Sequence, residues 1–362
     1  MLALLALLST LPAALGQVRV QKLGVYDYFT EESSPVIFNG ALLMLESIPT
    51  AYAGYDPAFS RCSAYLRVRD MRTLSVLVNI SLSCGMAFGA ATVLPGAAPG
   101  ASDTLLVTAT QWDRRSAARG GALGSAWSGP CAGAAPANCS VFLFSSAARD
   151  LADASWAASS TPPLPFGVYN TDPMAVPPSA GLPWQWVMAL ETTAETARFL
   201  ASAAGDPTDA AAWRVLDAAH TVPRYPDTGS CPSLRHDGQF FYYLTGGRDI
   251  HVLRSRDLVA WDGPPRTVLN HSAPGDCVVA PAFFGPYAPA GEAAQRLAAC
   301  GEGGNFGDDS DVDLVAWPAP FGSGPPGVLL EYGSGDQRTF GFSNLALAAN
   351  TTMEAFLQGF FA

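Results

Sequence analysis

Short apolar runs alternate with turn-forming residues along this chain, and the 3.6-residue period of a long amphipathic helix is almost absent. Phe240-Phe241-Tyr242-Tyr243-Leu244, then Ile250-His251-Val252-Leu253, then Arg256-Asp257-Leu258 with Trp261, is the clearest stretch. The same order returns at Arg149-Asp150-Leu151 with Trp156, and in weaker form at Asp206 with Trp213 and at Arg69-Asp70-Met71. Units repeating at roughly 50 to 80 residues, each too thin to bury its own faces, must cover one another. The pattern predicts an all-β chain folded as a five-bladed β-propeller, with its chemistry focused on the central funnel. The Asp of each phrase is expected to cap a turn and its Trp to pack between blades.

The first unit opens near Ser34 with Val36-Ile37-Phe38, turns at Asn39-Gly40 and returns along Leu42-Leu43-Met44-Leu45, a hairpin signal. Ala64 to Val68 and Leu74 to Ile80 complete it. The second opens at Gly85-Met86-Ala87-Phe88, the third at Val168-Tyr169-Asn170-Thr171-Asp172, the fourth at Pro232-Ser233-Leu234 and the fifth at Ser310-Asp311-Val312-Asp313-Leu314. Gly/Pro/Ala-rich stretches at 95–102, 116–136 and 282–306 read as insertions between strands. Weak helical patterns are confined to 195–204 and 353–361.

Residues 1–16 are almost wholly apolar and end in small residues, Ala14 and Gly16, which predicts a cleaved signal peptide and a mature propeller domain over 17–362. The segment is short for a bilayer span, and no later run is apolar and long enough, so no membrane insertion is expected after cleavage. Export fits four glycosylation acceptor tripeptides, at Asn79, Asn138, Asn270 and Asn350. The 7 cysteines are an odd number, so an oxidising compartment leaves at least one thiol unpaired; Cys131 and Cys139 flank a small loop and are the easiest pair to join. A formal net charge of −11 argues against nucleic acid and anionic membranes as partners. The chain is expected to be secreted and monomeric.

From Pro232 to Trp261 the sequence resembles the blade of the five-bladed propeller glycosidases, the arabinanase, levansucrase and invertase superfamily. Pro232, the turn Asp237-Gly238, the strand Tyr242-Tyr243-Leu244 and the ending Ser255-Arg256-Asp257-Leu258-x-x-Trp261 carry the resemblance. It implies a glycoside hydrolase related to family 43, acting on an oligo- or polysaccharide. That family places an Asp before the first-blade Pro, an Asp in the third blade and a Glu two residues before the fourth-blade Pro. Here Ser34 precedes Pro35 and Ser230-Cys231 precedes Pro232, so of the three positions only Asp172 keeps its carboxylate.

Topology supplies an independent filter, because inner strands start on the ligand face of a propeller and second strands finish there. The starts offer Asn170, Thr171, Asp172, Ser310, Asp311 and Asp313; the finishes offer Glu46, Gln111, Trp112, Glu191, Arg248, Glu331 and Tyr332. Carboxylates, an Arg and aromatic rings at one mouth suit a sugar, whose rings stack and whose hydroxyls take paired hydrogen bonds. Asp172 with Asp311 is the expected working pair, one giving a proton and the other activating water or attacking the sugar, with Glu191 and Glu46 as alternates. Arg248, Asn170, Trp112, Gln111 and Tyr332 are the expected substrate contacts. The rival outcomes are a propeller that binds glycans without cleaving them and a purely structural one.

No metal centre and no cofactor are expected. In the acidic run 308–313, Leu314 stands where an EF-hand loop needs its Gly and Pro320 where it needs its Glu, which excludes an EF-hand and leaves a structural calcium of another kind as the alternative, since clustered oxygens suit that ion. Glycines 301–307 lack the strand-to-helix setting and the Lys of a phosphate loop, and there is no Gly-x-Ser-x-Gly elbow. His220, His236, His251 and His271 are isolated and read as surface or packing residues.

Overall fold

The computed structural model describes residues 19–362 except 29, 31, 51–54, 97–100, 112–138, 195, 226–229, 302–303, 307–308, 318–325 and 335–340, and leaves out the side chains of 230 and 283. Its twenty strands form five antiparallel sheets of four, the expected five-bladed β-propeller. Blade I is β2 (Ser33–Phe38), β3 (Ala41–Pro49), β4 (Ala64–Asp70) and β5 (Val76–Asn79). Blade II is β6 (Met86–Leu94), β7 (Thr104–Gln111), β8 (Phe142–Ser146) and β9 (Ala157–Ser160). Blade III is β10 (Val168–Ala175), β11 (Trp186–Thr192), β12 (Ala197–Ser202) and β13 (Arg214–Val215). Blade IV is β14 (Ser230–His236), β15 (Phe241–Gly246), β16 (Ile250–Ser255) and β17 (Arg266–Leu269). Blade V takes β18 (Asp309–Trp317), β19 (Gly327–Ser334) and β20 (Phe342–Ala349) from the end of the chain and its outer strand, β1 (Gln21–Tyr28), from the beginning.

That closure explains the count of the repeated phrase. Asp70 ends the third strand of its blade, Asp150, Asp206 and Asp257 lie between the third and fourth strands of theirs, and blade V has no such turn because its fourth strand comes from the N-terminal end. The Asp257 carboxylate accepts the amides of Val259 and Ala260, and Asp70 accepts those of Arg72 and Thr73, so each ties off amides that the turn would leave bare. Trp156 packs between blades I and II, Trp213 between II and III, and Trp261 between III and IV. Two further apolar layers join IV to V and V to I. The core is therefore five wedges between blades, with no single centre.

β1 escaped the sequence pattern for a physical reason. Two bulges, between Lys22 and Gly24 and between Val25 and Asp27, break its alternation, and its partner β20 lies at the other end of the chain. Gly24 is obligatory there: its φ is 111°, and a Cβ would lie 2.2 Å from the carbonyl oxygen of Val278. Ala197–Ser202 contradict the helical expectation for 195–204. The Ala-rich stretch favours helix locally, but pairing with β11 makes it β12. The C-terminal helix is borne out as α2 (Met353–Gly359), capped by the Thr352 hydroxyl, while α1 (Glu292–Ala298) lies in an insertion read as loop.

Disulfides Cys62–Cys84 and Cys277–Cys300 are formed, with Cα atoms 5.1 and 5.8 Å apart, and Cys231 is a free thiol. Cys131 lies outside the described residues, as does the proposed signal segment. Two disulfides point to an extracellular or secretory protein. Among the described residues no helix is long and apolar enough to cross a membrane.

Ring closure is pinned by charge as well as by strand pairing. Lys22 of β1 reaches Asp276 at 3.0 Å and Asp309, at the start of β18, at 2.9 Å, with all three side chains fully buried. Asp276 also accepts the Tyr332 hydroxyl. Removing one partner of a buried ion pair strands the others, so Lys22→Ala should lose about 3–5 kcal/mol of stability in urea denaturation. A loss under about 1 kcal/mol would show that β1 closes the ring by backbone pairing alone.

Candidate functional site in the propeller funnel

Four of the five inner strands break register close to where they enter the funnel. The shifts fall between Ala87 and Ala90, Val168 and Thr171, Ser230 and Ser233, and Ser310 and Asp313. Three of these bulges contain a non-glycine residue in the left-handed region, Phe88, Cys231 and Asp311, at φ 57°, 55° and 53°. A bulge re-aims one side chain against the normal alternation, and here the re-aimed groups include a thiol and a carboxylate. Between the strand starts lies a small pocket open to solvent, lined by Glu32, Asp172, Cys231, Asp311 and Asp313 among others.

Two layers of charge build this pocket. In one, Arg235 of β14 donates to Asp172 at 2.9 Å and also to Asp313. Asp172 accepts the Leu234 amide on the same Oδ2 atom, which leaves its Oδ1 without a donor. Asp313 accepts the hydroxyls of Ser34 and, at 2.8 Å, Ser233. Burial lifts the Asp172 pKa to about 7; Arg235 pulls it down and Asp313 pushes it up.

In the other layer Asp311, Glu191 and Glu331 form no ion pair among the described residues. Asp311 takes the Ser310 hydroxyl on Oδ2, while its Oδ1 has no hydrogen-bond partner. Burial raises its pKa, only partly offset by the neighbouring Cys231 thiol, the Ser310 hydroxyl and Glu32. Glu191 accepts the Asn170 amide at 3.0 Å and the Cys231 backbone N–H at 2.8 Å, yet burial still carries its pKa to about 8. Glu331 is 1 % exposed, and burial together with Asp311 and Asp313 keeps it well above the usual carboxylate range. The Cys231 thiol is likewise pushed up by burial and by Asp311, Glu191 and Glu32.

The residues named from sequence divide accordingly. Asp172, Asp311 and Asn170 line the pocket together, and Glu191 sits directly behind them on β11. Glu46 does not line it. Burial would raise Glu46, but Arg67 and Arg69 outweigh burial and hold it low, and Asp27 completes that four-member ion cluster. Tyr332 is wholly buried between blades IV and V with its hydroxyl on Asp276, so it offers a sugar no ring face. Arg248 lies exposed on the turn after β15, bonded to His271, and Gln111 is exposed at the end of β7; neither lines the pocket. Trp112 lies outside the described residues. Sequence reasoning missed Glu32 and Arg235. Arg235 had one legible signal, a lone Arg in the apolar inner strand of blade IV, where only a buried acid could pair it.

No sequence-family model matches the chain, and no curated protein matches it in sequence. Among solved structures, one described as a glycoside hydrolase superposes with a TM-score of 0.50 at 12% identity, covering 93% of each chain. The shared fold is the five-bladed β-propeller. A GH43_1 enzyme from Xanthomonas citri (TM-score 0.44, 10% identity, 96% of this chain and 93% of that one) is also similar. So is a GH32 beta-fructofuranosidase from Bombyx mori (TM-score 0.47, 9% identity, 89% of this chain and 62% of that one). At such identities the likeness is one of fold.

The structure also accounts for Ser34. Its hydroxyl donates to Asp313 and accepts the Ala91 amide, so an Asp at that position would set two buried carboxylates against each other. Ser34→Asp should therefore cost about 1–3 kcal/mol in thermal or urea unfolding. Ser34→Asp combined with Asp313→Ser should recover at least half of that loss. Equal losses in the single and double variants would rule out this exchange of places.

Proposed function

We propose that this protein is a secreted glycoside hydrolase that seats one sugar ring of an oligo- or polysaccharide in the funnel pocket and cleaves its glycosidic bond there. The observation that carries the proposal is that Asp172 and Asp311, on inner strands of blades III and V, line one small pocket at the mouth of a propeller. Asp172 suits the acid. Both its donors fall on Oδ2, its Oδ1 is left for the proton, and a pKa of about 7 keeps that proton available near neutrality. Asp311, across the pocket, activates the attacking water. Arg235 holds Asp172 in place, and Asn170 and Glu191 form the wall behind. The apolar leader, the glycosylation tripeptides and the two disulfides support export.

A specific observation favours a second reading, a propeller that binds glycans without cleaving them. Two positions at which the resemblance expects carboxylates hold Ser34 and Ser230. The two readings separate on reducing-end release from arabino-, xylo-, fructo- and galacto-oligosaccharides. Hydrolysis is expected, with Asp172→Asn and Asp311→Asn each lowering the rate at least ~100-fold while sugar binding persists. Retardation by a glycan without any release would establish the binding propeller instead. Release undiminished in both variants would discard the pair.

The pH profile has a defined sign. An acid must hold its proton, so the rate should fall as pH rises through about 7, where Asp172 ionises. A rate that climbs steadily between pH 6 and 8 would contradict Asp172 as the donor.

A further inference from the structure

We propose that Glu32, Cys231 and Asp311 bind a zinc-type divalent metal ion in the funnel pocket. Atoms able to act as ligands, one from each residue, all lie within 4.8 Å of one another. The Cys231 sulfur is 3.8 Å from Glu32 Oε1. Zinc takes sulfur at about 2.3 Å and carboxylate oxygen at about 2.0–2.2 Å, which places tetrahedral ligands roughly 3.5 Å apart. The cluster is thus already close to the spacing that a bound ion imposes.

An independent observation points to a ligand. Asp311 is 5 % exposed, and its Oδ1 has no hydrogen-bond partner. A buried carboxylate oxygen left without a donor is costly, and such an atom calls for an absent partner. Formal charge gives the partner its sign. Two carboxylates and a thiol converge here, and Arg235, in the same pocket's other layer, is committed to Asp172 and Asp313. A thiol between two carboxylates selects a borderline ion such as Zn²⁺ or Co²⁺ over Ca²⁺ or Mg²⁺, which prefer oxygen alone. Three protein donors are also the number found where one position is kept for water or substrate. On binding, Cys231 gives its proton to solvent and ligates as the thiolate. Binding is read without turnover: Asp311 ligates the ion in the metal-loaded chain, whereas its base role in the funnel belongs to the metal-free one.

The test is Co²⁺ titration of the full chain after chelator treatment, followed by absorbance. One equivalent should raise a thiolate-to-cobalt charge-transfer band in the near ultraviolet, and one equivalent of Zn²⁺ should remove it. Cys231→Ser should abolish the band. Glu32→Gln, at the half-buried edge of the cluster, should weaken Co²⁺ binding at least about tenfold with an unchanged circular dichroism spectrum. No band in the native chain, or a band undiminished by Cys231→Ser, would overturn the site. Should Cys231→Ser fail to fold, Glu32→Gln decides alone: unaltered Co²⁺ affinity in that variant would overturn it.

Discussion

Everything in this molecule depends on closing the ring. A four-stranded blade exposes two apolar faces, and only a neighbour on each side can cover both. Five wedges of side chains do this, and the last of them, between blades V and I, exists only when β1 lies beside β20. The chain therefore joins its beginning to its end, with Lys22 buried between Asp276 and Asp309 as the ionic lock. Asp309 begins the same inner strand that carries Asp311 and Asp313. Closure and funnel chemistry thus share a strand, and a ring that opened at this seam would take both funnel carboxylates with it.

The funnel follows from closure plus local irregularity. Regular inner strands would send alternate side chains into the blade interfaces and present few functional groups to the axis. Bulges near the strand entries turn selected residues out of that alternation, and Cys231 and Asp311 occupy the left-handed conformations that result. Strain of this kind persists where surrounding packing over-determines it, commonly at functional sites. The acidic run 309–313 shows the outcome: Asp309 goes to the lock, Asp311 to the pocket and Asp313 to Arg235. Three acids close in sequence serve three separate partners, and only Asp311 is left short of one.

The architecture was legible because the repeat is written in short-range chemistry. Turn-capping Asp residues recur in blades I to IV and interface Trp residues in blades II to IV, and Asn39-Gly40 marks a hairpin by itself. The closing strand was not legible, since bulges erase its alternation and its partner is the most distant in the chain. At the site, Asp172, Asp311, Asn170 and Glu191 could be placed from strand starts and finishes. Glu46, Arg248, Gln111 and Tyr332 could not, because topology tells which end of a strand a residue occupies but not whether a neighbouring charge claims it. Arg67 and Arg69 claim Glu46, and Asp276 claims Tyr332. Such pairings join residues on different strands or loops, 21 or more positions apart, and have no local signature.

The central claim is that the pocket between Asp172 and Asp311 is where a sugar is held and cut. Its most direct test is a crystal structure of the Asp311→Asn variant with a bound oligosaccharide. A sugar ring seated in the funnel, with the Asp172 carboxyl within hydrogen-bonding distance of the glycosidic oxygen, is the expected result. A saccharide held only on the outer faces of the blades, with the funnel filled by solvent, would contradict the account.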